Sequence, residues 1–185
     1  MLGLGIGIVY QTEASPDISI GDSYGGGIVF YLDGSGGGLI ASPLSAEINA
    51  PWGCQGVTIS GADGTAIGTG NQNSIDINAG CTTADIAAEQ CLNLSVGGYN
   101  DWYLPSKDEL NEMFDNIGGS DDLGDFDASA SKIYWSSTEA SSTAAWGQNF
   151  ADFQASPAIQ TNTNKNVSYA SAGNAVGFAR AIRAF

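Results

Sequence analysis

Residues 1–9, MLGLGIGIV, set Leu2, Leu4, Ile6 and Ile8 in strict alternation with Gly3, Gly5 and Gly7. A period of two is that of a strand, whose successive side chains point to opposite faces. The run is shorter than the roughly 20 apolar residues of a spanning helix, and it lacks the basic leader of a secretory signal. It is expected to be a core or edge strand, or a strand that docks the chain into an oligomer or onto a larger particle. Residues 1–20 accordingly read as an N-terminal strand or extension, and 21–185 as one domain.

Two apolar runs, GIVFYL (27–32) and GLIA (38–41), flank Asp33-Gly34-Ser35-Gly36-Gly37, which predicts a hairpin with a glycine-rich loop. Residues 53–80 are rich in Gly, Ser, Thr and Asn without helical periodicity and read as a long surface excursion. Thr82 and Asp85 then resemble a cap and first turn, with Ile86, Ala87, Cys91 and Leu92 at helical spacing. Ser106-Lys107-Asp108-Glu109 is a capping box, Leu110, Met113, Phe114 and Ile117 form the stripe behind it, and Gly118-Gly119 ends the helix. Aromatic stretches at 133–135, 145–150 and 178–185 read as strands. Two helices between an early hairpin and late antiparallel strands, with terminal strands paired, make an α+β domain. No repeat of 20–50 residues is visible, which removes solenoids and propellers.

The chain of 185 residues is 43% apolar and only 14% charged, as a folded domain requires. Its 20 acids against 5 cations leave a net charge of −15. Nucleic-acid affinity comes chiefly from cations that displace counterions, so nucleic acid and anionic membrane are disfavoured partners. With no histidine, the usual neutral-pH acid or base, Ser-His triads and imidazole metal sites are gone. Four of the five cations, Lys132, Lys165, Arg180 and Arg183, lie after residue 127, where Glu139 and Asp152 are the only acids.

Cys54, Cys81 and Cys91 share no CxxC spacing, and at most one bridge can form, which leaves the pairing and the compartment open. Cys91 reads as a buried inert thiol within its helix. Asp121, Asp122, Asp125 and Asp127 supply hard oxygens for part of a Ca2+ shell, although their spacing is not that of an EF-hand; the alternative is a solvated acidic loop. No other cofactor is expected. Residues 21–27 lack the P-loop lysine and precede a strand, so they read as a tight turn and not as a phosphate cradle. No carboxylate pair stands out for glycoside hydrolysis. Trp52, Trp102, Trp135 and Trp146 are either sugar-stacking platforms or core, and their apolar and glycine-rich surroundings favour core for most of them.

Residues 98–110 (GYNDWYLPSKDEL), together with GGGIVFYLDG, YWSSTE, AWGQNF and the closing RAIRAF, resemble the C-terminal domain family of collagen-like bacterial adhesins. The resemblance implies a C-type-lectin-like fold, related in architecture to formylglycine-generating enzymes and used for binding at an extracellular, cell or virion surface. Two departures limit it. There is no Glu-Pro-Asn, Gln-Pro-Asp or Trp-Asn-Asp motif and no late cysteine pair, so neither calcium-dependent sugar binding nor formylglycine chemistry carries over. Some relatives bind sulfated glycans, for which five cations give little support.

Residues 140–179, dominated by Ala, Ser, Thr, Asn and Gly, resemble the variable region of a protein diversified by a retroelement. Randomised adenines in asparagine codons ending in a pyrimidine yield Ala, Ser, Thr, Gly, Asp, Val, Phe or Tyr, never Gln, Lys, Glu, Met or Trp. Ala140, Ser142, Thr143, Gly147, Ala151, Asp152, Phe153, Ala155, Ser156, Val167, Ser168 and Tyr169 fit that set. Gln148, Gln154, Gln160 and Lys165 are then scaffold, with Trp146 and Phe150. The plainer reading is a surface loop rich in small residues. The function expected is a non-catalytic binding protein that presents residues 140–170 to a protein or glycan on another cell or particle, with Phe153 and Tyr169 as aromatic anchors. The alternatives are a fixed adhesin that binds a glycan or matrix ligand through its tryptophans, and an enzyme of the formylglycine-generating or paired-acid hydrolase type.

Overall fold

The computed structural model describes residues 17–119, 123–126, 132–151, 160–166 and 176–185. The strand expected at residues 1–9 lies outside them. β2 (Gly27–Leu32) and β3 (Gly38–Ala41) form the predicted hairpin, β1 (Ser23–Tyr24), which the sequence did not predict, extends it to a meander, and a short 3-10 turn (Leu44–Ala46) leads to β4 (Ile48–Asn49). Three helices follow: α1 (Gly70–Gly80), α2 (Ala87–Leu92) and α3 (Lys107–Ile117). β5 (Lys132–Ser141), β6 (Ala144–Gln148), β7 (Gln160–Asn164), β8 (Val176–Ala179) and β9 (Ile182–Ala184) close the chain. One sheet has the order β1-β2-β3-β9 and the other β4-β8-β5-β6-β7. The class is α+β, as expected, with the layered layout of a lectin-like domain.

The last strand returns to the first hairpin. Ile40 pairs with Arg183 and Ala41 with Ile182, which is the terminal pairing the sequence predicted. The expectation of purely antiparallel late strands is corrected at one place, since β5 and β8 run parallel with Tyr134 opposite Phe178. The long connection between these strands lets β8 come back in the same direction, which a hairpin does not allow.

α3 forms as its sequence dictates. Ser106 Oγ accepts the Glu109 N–H at 3.3 Å, and the Glu109 carboxylate accepts the Ser106 N–H at 2.7 Å. Leu110, Met113 and Ile117 are buried beneath it, and the Gly118 N–H closes on the Phe114 carbonyl. Glu109 is itself buried and also takes the Gly68 N–H at 2.8 Å. Desolvation pushes its carboxyl above the usual range, against the pull of the backbone N–H groups.

Two helical expectations need correction. Residues 53–80 are not only a surface excursion, because their last eleven residues form α1. This helix buries Asn73 and Ser74 beside Ile77. Asn73 exchanges hydrogen bonds with the Gly64 backbone at 2.7 and 3.2 Å, and Ser74 Oγ accepts the Leu104 N–H at 3.0 Å. Polar residues thus occupy the inward positions where an apolar stripe was sought. α2, in turn, starts at Ala87 without a Thr82 cap, because Asp85 has a φ of +58° and cannot continue a helix; its N–H is held by the Glu89 carboxylate at 2.7 Å.

Two apolar clusters fill the interior. One surrounds Trp52, Trp102 and Trp135 between α1, α2 and the second sheet. The other packs Leu110, Met113 and Ile117 onto Tyr103, Phe126, Tyr134 and Phe150. Cys54 and Cys81 form the single bridge, and Cys91 is the buried free thiol, its pKa pushed up by burial. Arg180 and Arg183 fasten the end of the chain, to Glu47 at 3.2 Å and to Asp101 at 2.7 Å.

Candidate binding face

β5 and β6 run antiparallel and turn at residues 141–144, with Ser141 opposite Ala144. The turn organises itself locally: the Thr143 N–H reaches Ser141 Oγ at 3.3 Å. β7 adds a third strand, placing Asn164 opposite Ala144. Asn164 Oδ1 then accepts the Asn166 N–H at 2.9 Å, which bends the chain back. Ser141, Thr143, Asn164 and Asn166 are exposed, and Ser142 is half-buried. This end of the sheet is a polar platform.

Beneath the platform lies a buried ion pair. The Lys165 ammonium, fully buried, contacts the Glu139 carboxylate, donates to the Val57 carbonyl at 2.8 Å and sits 4.5 Å from the centre of the Trp52 ring. Both Glu139 oxygens accept the Ile59 N–H, at 3.0 and 3.1 Å. Backbone bonds complete the assembly: Gly53 N–H to the Lys165 carbonyl at 3.1 Å, Gly56 N–H to the Ser142 carbonyl at 2.8 Å, and Lys165 N–H to the Thr143 carbonyl at 3.2 Å. Three chain segments, 53–62, 139–144 and 163–166, therefore meet around one charge pair whose remaining valences are satisfied, as a buried pair requires.

The sequence-predicted residues divide sharply. Thr143 is exposed and Ala140 and Ser142 are half-buried, all at the platform. Gly147 and Ala151 are buried, which corrects their assignment to an exposed surface. A Cβ on Gly147 would run into Ile133 and the Tyr134 carbonyl, so that position is frame. Asp152, Phe153, Ala155, Ser156, Val167, Ser168 and Tyr169 lie outside the described residues, as does Gln154. Gln148, Phe150 and Lys165 are buried, where residues of a scaffold belong.

The tryptophans resolve in the same way. Trp52, Trp102 and Trp135 are at most 1% exposed, and their indole N–H groups donate to the carbonyls of Ser136, Tyr99 and Ala50. None of these three offers a face to a sugar. Trp146 is half-buried, with the Lys107 ammonium 4.3 Å from its ring centre. Of the four aspartates suggested for Ca2+, Asp125 is exposed with φ +51°, and Asp121, Asp122 and Asp127 lie outside the described residues. Among the described residues no group of three or more metal-ligating side chains comes together, and no helix is long and apolar enough to cross a membrane.

Sequence reasoning assigned Lys165 to the scaffold but missed the loop at 55–58 that it holds. A signal was present: Lys165 is one of 5 cations among 20 acids, set in an uncharged Asn/Thr/Ser stretch. Its partner, 26 residues earlier in the chain, carried no mark of the contact.

A family model described as the Lcl C-terminal domain matches residues 60–170 of this chain. That span contains α1 through β7 and most of the assembly around Glu139 and Lys165. No curated protein matches the sequence.

Proposed function

Since the chain belongs to the Lcl C-terminal domain family, an adhesin-type domain, we propose that it is a non-catalytic binding protein that engages a protein or glycan on another cell or particle through the platform at 140–144 and 163–166. The finer part of the proposal is that a retroelement diversifies this face. One observation carries the reading: apart from the bonds of Ser141 and Asn164 to N–H groups two residues on, the platform's exposed side chains do not hold up its backbone, which is tied to the rest of the domain by Glu139, Lys165 and the residues they bind. Exposed side chains whose contacts stay within their own turn are freer to be exchanged than those that join distant segments, so a stiff frame tolerates many alternatives on one surface. The Cys54–Cys81 bridge supports an oxidising, extracellular setting on a cell or virion surface.

The tryptophan-based adhesin is less well supported, because three of its four indoles are packed inside. Coding DNA tests the diversification. Pyrimidines in the third position at codons 140, 142 and 143, and a near-identical template copy beside a reverse-transcriptase gene, are expected; purine-ending codons without a template copy overturn it. An array of glycans and surface proteins, probed with natural variants of residues 140–170, tests the binding. Ligand preference is expected to change from variant to variant, whereas one shared ligand would indicate a fixed adhesin.

A further inference from the structure

Beside the first sheet lies a hollow of about 370 Å3 that belongs to none of the regions assigned so far. Three stretches remote in sequence line it: the β2–β3 hairpin with Tyr31 and Asp33, the approach to α1 with Ile67 and Asn71, and Tyr103 with the closing Phe185. Two loop glycines keep it open. A Cβ on Gly38 would meet the Phe185 ring at 2.8 Å, and one on Gly37 would meet Asp33 Oδ2 at 2.8 Å. Phe185 is fixed in turn, its N–H and carbonyl bonding Gly38 at 3.1 and 3.3 Å and its ring meeting that of Tyr24 edge to face at 5.1 Å.

The charge of the hollow has one sign. The Ser35 N–H, the Ser35 hydroxyl and the Gly37 N–H all donate to Asp33 Oδ1, at 2.7, 2.9 and 3.0 Å, and hold the carboxyl below its ordinary range. Its second oxygen, Oδ2, takes no hydrogen bond from the described residues. No lysine or arginine occurs in residues 1–106 to neutralise it. Arg183, two residues before Phe185, is engaged by Asp101 and lies 3.8 Å from the centre of the Tyr99 ring, and Lys107 lies against Trp146. The start of α1, which would otherwise favour an anion, is already taken, because the Glu109 carboxylate accepts the Gly68 N–H at 2.8 Å.

We propose that this hollow is a second binding site, distinct from the platform, and that it takes an organic cation: an ammonium or guanidinium group of the size found on a lysine or arginine side chain. Asp33 Oδ2 supplies the counter-charge, Asn71 a neutral hydrogen-bonding partner, and Tyr31, Tyr103 and Phe185 the aromatic walls. Aromatic rings attract a cation through their quadrupole while they shelter its aliphatic stem, a pairing that a neutral sugar does not use. The net charge of −15 draws such a ligand in from a distance. The proposal stands whether or not the platform is diversified.

The test titrates the full chain, followed by amide NMR, with Nα-acetyl-arginine amide, Nα-acetyl-lysine amide and putrescine, and with two uncharged probes, Nα-acetyl-citrulline amide and methyl β-glucoside. The cations are expected to shift the amides of Gly38, Gly68, Asn71 and Phe185 saturably, with dissociation constants on the order of millimolar, and to leave those of Thr143 and Asn166 in place. Citrulline has the shape of arginine without its charge and is expected to bind about fivefold more weakly or not at all. Tighter binding of putrescine names a free amine as the source of the cation, and tighter binding of the capped amino acids names a protein side chain. Equal binding of citrulline and arginine, a response to the glucoside alone, or shifts centred on Thr143 and Asn166 overturns the proposal.

Variants give an independent check. Asp33→Asn keeps an Oδ1 acceptor for the loop and removes the charge, and it is expected to weaken arginine binding about fivefold. Phe185→Leu keeps an apolar side chain without the ring and is expected to weaken it about threefold. Unchanged affinity in Asp33→Asn overturns the assignment even if the unaltered chain binds.

Discussion

Between residues 139 and 166 two kinds of position sit within a few ångströms of each other. Thr143 and Asn166 are exposed and are held by side chains two residues away, Ser141 Oγ and Asn164 Oδ1. Glu139 and Lys165 face inward and reach Ile59 and Val57, 80 and 108 residues away. A change at the first kind is felt within the turn, and a change at the second is felt across the domain. The contrast shows how a surface can be free to vary without loosening: the long-range contacts that set its shape are made by residues it does not display.

The widest break in that contrast is Lys165→Met. It strands the Glu139 carboxylate in a nearly closed site, which is expected to cost roughly 3–5 kcal/mol in urea unfolding. The double change Glu139→Gln with Lys165→Met is expected to recover much of the loss, since no unpaired charge is left behind; a double variant as weak as the single would show that packing, and not the charge pair, holds the segments together. Next comes the Cys54–Cys81 bridge, which closes a loop of 27 residues under the same platform. Its removal by Cys54→Ala and Cys81→Ala is expected to lower stability by about 2–4 kcal/mol, read as a fall in Tm that added reductant reproduces in the unaltered protein.

Smaller effects sharpen the comparison away from the platform. Ser106→Ala removes the α3 cap and is expected to cost about 1 kcal/mol, with faster amide exchange confined to the first turn of α3. Arg183 binds the Asp101 carboxylate through two bonds, at 2.7 and 2.9 Å, and holds it below the usual range. A depressed folded pKa means that this pair stabilises above the unfolded carboxylate's pKa and loses its contribution as pH falls through the folded value. For a largely exposed carboxylate the gain is roughly 0.2–1 kcal/mol, and Asp101→Asn is expected to remove that part of the acid slope in a stability-against-pH series. The least effect belongs to the platform. Thr143→Asp and Asn166→Ser are each expected to shift stability by no more than about 0.5 kcal/mol in thermal unfolding, and a loss above about 2 kcal/mol at either would erase the distinction drawn here.

α3 and α1 show why some of this was legible beforehand. Both are eleven residues long. In α3, Ser106, Glu109 and the stripe of Leu110, Met113 and Ile117 state the helix locally, through a cap and an apolar face that any surroundings would reward. In α1 the inward positions include Asn73 and Ser74, whose partners Gly64, Ser137 and Leu104 come from other parts of the chain. No local pattern announces such a helix. The same holds for Gly147 and Ala151: small residues suit an exposed variable position and a crowded interior equally well, and the neighbours that decide between them, such as Ile133, are distant in sequence.

The order of amino acids by itself determined the α+β class, the first hairpin, α3 and the resemblance of its motifs to an adhesin-type family, because these rest on short-range periodicity, turn chemistry and capping. It determined as well that at most one disulfide could form and that the chain would be strongly acidic. Only the folded arrangement decided that Cys54 pairs with Cys81, that three tryptophans are core, and that the Glu139–Lys165 pair lies inside and carries the loop at 55–58. Those outcomes depend on which remote segments share a low-dielectric interior, where an unpaired charge or polar group is costly, and that cost is not written in any local stretch of sequence.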